Sequence, residues 1–274
     1  MNAAIWKKAF TDAWLQLAVS SALLLLFSWA FVWLMSMFKI GAWSSLLNLL
    51  PGFVQPMLGV PLAELATPTG QLSILYVHAI VVLICVGWAL GRGSAPIAGE
   101  IGHGTMDLLL SLPIWRISVL VPPAVVATLG AAVLPASVWL GTALGVAVVH
   151  LETEVALSVF LPGAVNLFAM TFCLTGITTF ISSFNRDRWA TIGIAGGFYI
   201  VSLMLELIGR LWEAGAWLKY LTFLSVFQPQ QLILVPEQTG YAALRYNLVL
   251  LGLGLAAYAV AGLILWHRDI PTAR

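Results

Sequence analysis

The sequence predicts an all-α integral membrane protein of six transmembrane helices, and three observations carry that prediction. Charge is scarce: 12 Lys and Arg with 11 Asp and Glu make only 8% of 274 residues charged, against roughly a quarter in a soluble domain. Hydrophobic residues reach 61% and mean hydropathy is +1.00. A polar shell around a water-soluble core cannot be assembled from so little, and a soluble globular protein is excluded. The charges are also spaced like bilayer crossings, because a charge at mid-membrane costs about 2.5–3.5 kcal/mol and a span needs about 20 apolar residues. Six intervals meet that length: Asp12 to Lys39, Glu64 to Arg92, Arg116 to Glu152, Glu154 to Arg186, Arg188 to Glu206 and Arg245 to Arg268. None alternates apolar and polar residues as a barrel strand must.

The chain opens on an amphipathic helix over residues 4–14, with Trp6, Phe10, Ala13, Trp14 and Leu17 on one face and Lys7, Lys8, Thr11 and Asp12 on the other. Such a helix lies in the membrane interface. A signal peptide is the competing reading, but the apolar run beyond it is too long, and Phe27, Trp29, Phe31 and Trp33 crowd any small-residue cleavage site. The spans are expected over residues 15–38, 71–90, 117–149, 155–180, 189–208 and 244–266. Pro122, Pro123 and Pro135 in the third and Pro162 in the fourth predict kinks. Within the external segment 209–243, residues 216–235 are broken by Gln228, Pro229, Gln230 and Gln231 and read as short interfacial or re-entrant helices. Of the 12 tryptophans, Trp6, Trp14, Trp43, Trp88, Trp115, Trp189, Trp212, Trp217 and Trp266 fall where spans meet headgroups.

Six spans put both termini on one side. That side holds Lys7, Lys8, Arg92, Arg116, Arg186, Arg188, Arg268 and Arg274, against Lys39, Arg210, Lys219 and Arg245 on the other. The positive-inside rule therefore places both termini in the cytoplasm of a multi-pass protein of the cytoplasmic (inner) membrane. The net charge of +1 and the lack of a basic cluster argue against a nucleic-acid partner.

The least membrane-like cytoplasmic segment is residues 91–116, GRGSAPIAGEIGHGTMDLLLSLPIWR. Five glycines precede Thr105, which can cap a short leucine-rich helix carrying Asp107 in its first turn. Leu108, Leu109 and Leu112 share one face of it. Two readings stand on composition: a solvated connector whose helix rests on the membrane, or a helix built to dock into a partner.

At these residues the sequence resembles the permease subunits of type-2 (ABC-2) ATP-binding-cassette transporters. The matching positions are Glu100, Gly104, Thr105, Leu109, Leu110, Pro113 and Arg116. Residues 182–189 (SSFNRDRW) are similar to the family's fourth-to-fifth turn, WLKYLTFLSVFQPQQLIL to its external segment, and WHRDIP to its closing signature. His103 is a departure, standing where many relatives carry another polar or charged residue. The resemblance implies an elbow helix at 4–14 and a coupling helix in the 91–116 loop. It also implies a separate ATPase subunit that holds ATP and Mg, and a second membrane subunit making a homodimer. Coupling would then rest on Glu100, Gly104, Thr105, Leu109, Pro113 and Arg116, supported by Arg186, Asp187 and Arg188. Export is the implied direction. The chain carries no G-x-x-x-x-G-K-[ST], so that loop cannot cradle phosphates here, and no cofactor or catalytic residue is expected in it.

Other constellations point less far. His150, Glu152 and Glu154 form H-x-E-x-E on a short external turn, where a metal site is conceivable and a solvated turn is the ordinary reading. His78 and Glu206 are ionisable groups inside or near spans, and such groups invite a functional reading. Cys85 and Cys173 read as small apolar packers. Two further functions stay open: a membrane scaffold or assembly factor recruiting a soluble partner through the same loop, and a proton-coupled carrier using His78 and Glu206. Substrate identity is not written in these residues.

Overall fold

The computed structural model describes residues 3–38, 40–49, 51–52, 57–106, 108, 115, 117–149 and 155–267, and holds no strand among them. Six helices are long and apolar enough to cross a bilayer: Ala3–Ser36, Pro68–Gly102, Ile117–Val148, Leu157–Ser182, Arg188–Leu211 and Tyr241–His267. They correspond one for one to the expected spans, and the differences lie at their ends.

The first span is a single unbroken helix of 34 residues. No Gly or Pro interrupts it, so nothing breaks the hydrogen-bond ladder at the end expected for the interfacial helix. Residues 4–14 are therefore the first turns of the span itself, not a separate element. At 1.5 Å per residue the helix is about 50 Å long, well beyond the roughly 30 Å of hydrocarbon, so one end projects past it. Phe10 and Trp14 are exposed there.

The second span departs most from expectation. It begins with Pro68–Ser73, capped by Thr67, whose Oγ1 accepts from Gly70 N at 3.0 Å. A 3-10 turn, Ile74–Val77, comes next, and the chain then straightens at His78 (φ −61°, ψ 135°). His78 restarts the helix Ala79–Ser94, its Nδ1 accepting from Ile80 N at 3.2 Å while its ring lies 4.9 Å from Phe27. Beyond Ser94 the helix runs on through a π turn, Ala95–Gly99, to Gly102. The glycine-rich stretch predicted as loop is thus helix. Gly93 within it serves close packing: a Cβ there would stand 2.7 Å from the carbonyl oxygen of Thr175 on the fourth span.

The third span passes through Pro122, Pro123 and Pro135 as one helix. Pro162 sits in the first turn of Leu161–Ser182, where its missing N–H removes no intrahelical bond. That fourth span is the hub of the bundle, with Asn166, Leu167, Met170, Cys173 and Leu174 fully buried. Fourth and sixth spans touch backbone to backbone, since a Cβ at Gly176 would stand 2.5 Å from Gly254 O. Trp88, read as an interface anchor, is instead buried in the core and donates to Ala127 O at 3.0 Å. Trp14, Trp115, Trp189, Trp212, Trp217 and Trp266 are exposed.

The amino-terminal turns and the end of the sixth span share one end of the bundle, where Trp115 and Trp266 rings lie 6.1 Å apart. We call it the terminal end. The opposite end carries Ile40–Asn48 and Leu62–Leu65 in the first connection, and the short helices Glu213–Leu221, Phe223–Val226 and Pro229–Leu234 before the last span. The latter group is the broken segment expected from the sequence. Its backbone is satisfied by Asn166, whose Nδ2 donates to Val226 O (3.1 Å) and whose Oδ1 accepts from Gln228 N (2.9 Å). Irregular backbone at membrane depth requires such cover.

Candidate functional site

Two polar clusters stand at the two ends of the second and fifth spans. The terminal-end cluster begins with the π turn. Pro96 lies within it and donates no N–H, and Ala98 N donates to Ser182 Oγ of the fourth span at 2.9 Å. Arg188, at the start of the fifth span, reaches across to the same place. Its Nη2 donates to Gly91 O (3.1 Å) and its Nε to Ser94 Oγ (3.4 Å). Asp187 accepts from Ala190 N at 2.9 Å and so caps the fifth span. Arg186 is exposed, with its carbonyl against Gly102.

Glu100 organises the turn at the end of the second span. Lys8 of the first span donates to its Oε1 at 2.5 Å, and Thr105 Oγ1 donates to its Oε2 at 2.6 Å. Thr105 N also donates to Glu100 O at 3.0 Å. These bonds close a turn through His103 and Gly104, and Gly104 takes φ +68°, a conformation that costs a side chain about 1–2 kcal/mol. After the turn Met106 is buried with Ile97, Val119, Leu120, Ala261 and Leu265, whereas Leu108 is exposed. The turn is therefore anchored on both sides and presents its tip outward.

Of the residues singled out in the sequence, Glu100, Gly104 and Thr105 share this turn, and Arg188 ties the fifth span to the helix just before it. Leu109, Pro113 and Arg116, with Leu110, Asp107 and Leu112, lie outside the described residues, as does the His150, Glu152 and Glu154 turn. Among the described residues no group of three His, Cys, Asp or Glu could hold a metal ion. Lys8 and Ser182 lie in segments the sequence singles out, the amphipathic helix and the SSFNRDRW turn, but their contacts with this cluster come only from the fold.

The opposite end holds the second cluster. Glu206 is buried and accepts from Arg210 Nε at 2.9 Å and from Gln228 Nε2 at 3.4 Å, both on Oε1. Arg210 Nη1 donates to Met57 O at 3.0 Å. The i,i+4 spacing of Glu206 and Arg210 is visible in the sequence, but Gln228 and Met57 join them only in three dimensions. This cluster borders a cavity of about 670 Å³ between the second and fifth spans. The wall is apolar, with Val82, Val86, Leu90, Gly196 and Tyr199 among its residues. Its size falls within the range of small-molecule sites, about 300–1,000 Å³.

No curated protein matches the chain. A family model described as ABC-2 family transporter protein matches residues 6–268.

Proposed function

Because the chain belongs to the ABC-2 family of transporter proteins, we propose that it is the membrane subunit of an ATP-driven exporter in the cytoplasmic membrane, driven by a separate ATPase subunit and paired with a second copy of itself. The family match across nearly the whole chain is the observation that carries this reading. In this reading the terminal end faces the cytoplasm, and the turn from Glu100 to Thr105, with the leucine-rich residues after it, docks on the ATPase. Arg186, exposed beside Gly102, supplies a second contact. ATP and Mg belong to the partner.

The arrangement supports a mechanical role. From Ala79 to Gly102 the second span is continuous helix, and Arg188 holds the start of the fifth span to it. A displacement of the turn therefore carries the terminal ends of both spans together. At the other end the same two helices flank the cavity. ATPase closure can bias the bundle between two packings only if the docked turn makes different contacts in each.

The test has two parts. In intact cells, a His103→Cys chain should react with a membrane-impermeant maleimide only after permeabilisation, the native cysteines being buried. The purified chain should also retain an ATPase at fixed stoichiometry and stimulate its hydrolysis, with Arg186→Glu reducing both. Labelling from outside, or a stable partner without nucleotide chemistry, would overturn the reading, the second in favour of a scaffold.

A further inference from the structure

We propose that the groove between the terminal ends of the first three spans binds the headgroup of phosphatidylethanolamine, with Arg92 donating to its phosphate and Asp12 accepting from its ammonium. Binding there needs no ATPase and does not depend on what the bundle transports. The site is separate from the cavity at the opposite end.

Arg92 leaves one edge of its guanidinium open. Its Nη1 donates to the carbonyl oxygen of Asp12 at 2.9 Å, and the group lies 5.7 Å from the Trp88 ring. Among the described residues Nε is buried with no hydrogen-bond partner, and Nη2 makes no hydrogen bond either. Those two nitrogens form the fork that takes two oxygens of a carboxylate or phosphate side by side. A buried charged donor left unpaired costs more than a neutral one. Asp12 is the complement: it is exposed and, among the described residues, forms no salt bridge. Lys8, one turn before it, is bonded to Glu100 and keeps two further donors.

Depth selects a lipid. Asp12 stands where the charge-free stretch of the first span begins and Arg92 where that of the second ends, which sets both at the headgroup level. Together with Lys8 and Glu100 they line a narrow opening of about 50 Å³. The third span's wall, Val119, Pro123 and Val126, is apolar over about 10 Å of helix and leads inward from these charges, so an acyl chain hung from the headgroup meets it. Charge selects the head. Lys8 balances Glu100 and Arg92 balances Asp12, so the groove is neutral. An anionic head would leave it net negative, at a desolvation cost, whereas phosphoethanolamine brings its own cation. Choline has no N–H, and only a primary ammonium can give Asp12 a charge-assisted hydrogen bond.

The experiment uses the full chain, delipidated in maltoside micelles without ATPase, with radiolabelled dioleoylphosphatidylethanolamine as probe and empty micelles as background. Saturable binding is expected, roughly tenfold tighter than for phosphatidylcholine or phosphatidylglycerol of the same chains, the worth of one hydrogen bond between charged groups. Asp12→Asn keeps the size of an exposed side chain and should reverse the order, making phosphatidylglycerol the tightest of the three because the groove then carries a positive charge. Arg92→Gln should weaken all three lipids, and Arg92→Lys, which keeps the charge without the fork, should fall between. Glycerophosphoethanolamine, the same head without chains, should compete about tenfold less well than the lipid. Equal affinity for the three lipids, an unchanged order in Asp12→Asn, or binding indifferent to both Arg92 variants would overturn the proposal. So would equal competition by glycerophosphoethanolamine, since the groove would then take a soluble phosphate ester. Should Arg92→Gln fail to fold, the reversal in Asp12→Asn still decides.

Discussion

The second and fifth spans carry a glutamate cluster at each end, and the two glutamates are treated differently. At the terminal end both carboxylate oxygens of Glu100 are engaged, one by Lys8 and the other by Thr105, and the pair is partly exposed. At the other end Glu206 is more deeply buried, yet one of its oxygens has no hydrogen-bond partner among the described residues. A saturated, solvent-facing cluster fixes a shape; an unsaturated, buried one beside a cavity keeps capacity for something else. The contrast makes Glu100 a determinant of the turn's shape and leaves Glu206 with an acceptor that no described residue fills.

The sharpest way to break the comparison is to remove the cation from each cluster. Arg210→Ala leaves Glu206 as a buried carboxylate with only Gln228 to serve it. The expected loss is about 2–3 kcal/mol, below the roughly 3–5 kcal/mol of a fully buried pair because Arg210 keeps a fifth of its side chain exposed. Thermal unfolding in detergent measures it. Replacing both members, Glu206→Leu with Arg210→Met, should restore most of the stability. If the single variant is as stable as the parent, Glu206 is not buried in the bilayer-embedded protein and the contrast collapses.

The two clusters are unequally legible in the sequence. The spans follow from charge spacing, because the bilayer penalty acts residue by residue and leaves its trace in composition. Glu100, Gly104 and Thr105 can be found because they are near neighbours in the chain. Their tie to Lys8 crosses 92 residues, and no local pattern encodes it. The second span's continuation to Gly102 escapes the sequence for a related reason: glycines at 91, 93, 99 and 102 read as loop by propensity, but tertiary contact overrides propensity, most closely where Gly93 meets Thr175 and Thr178 of the fourth span. Likewise the uninterrupted first helix hides a boundary that the change in polarity near Trp14 suggests. Asn166, with both ends of its amide bonded to the broken segment, is a lone polar residue in an apolar run and becomes meaningful only beside Val226 and Gln228.

A smaller effect sharpens the role of the terminal turn. Among the described residues nothing lies within 4 Å of a Cβ built on Gly104, so Gly104→Ala tests backbone conformation. A loss of about 1 kcal/mol is expected from the positive φ, and Gly104→Asn should cost less, since Asn visits that region more readily. Equal stability of all three chains would mean the turn relaxes to another conformation. Asp187→Ala removes the fifth span's cap and should cost about 1 kcal/mol, with Asp187→Asn recovering most of it. Because Arg188 is the next residue and holds the second span, loosening this cap should also raise hydrogen exchange at Ala190 and Thr191 before it changes the global unfolding temperature.

The smallest effect discriminates most between posture and mere decoration. The Lys8 and Glu100 pair is partly exposed, and a double-mutant cycle with Lys8→Met and Glu100→Gln should give a coupling of only about 0.2–1 kcal/mol, fading as salt rises. Thr105 remains able to bond Glu100→Gln, so the turn itself should persist. If the first span braces the turn against its driving partner, the same cycle read as ATPase stimulation should show a larger coupling than it does in stability, because force reaches the turn only in the assembled complex. Equal couplings in both readouts would make Lys8 an ordinary surface ion pair, and the second span would then transmit displacement without help from the first.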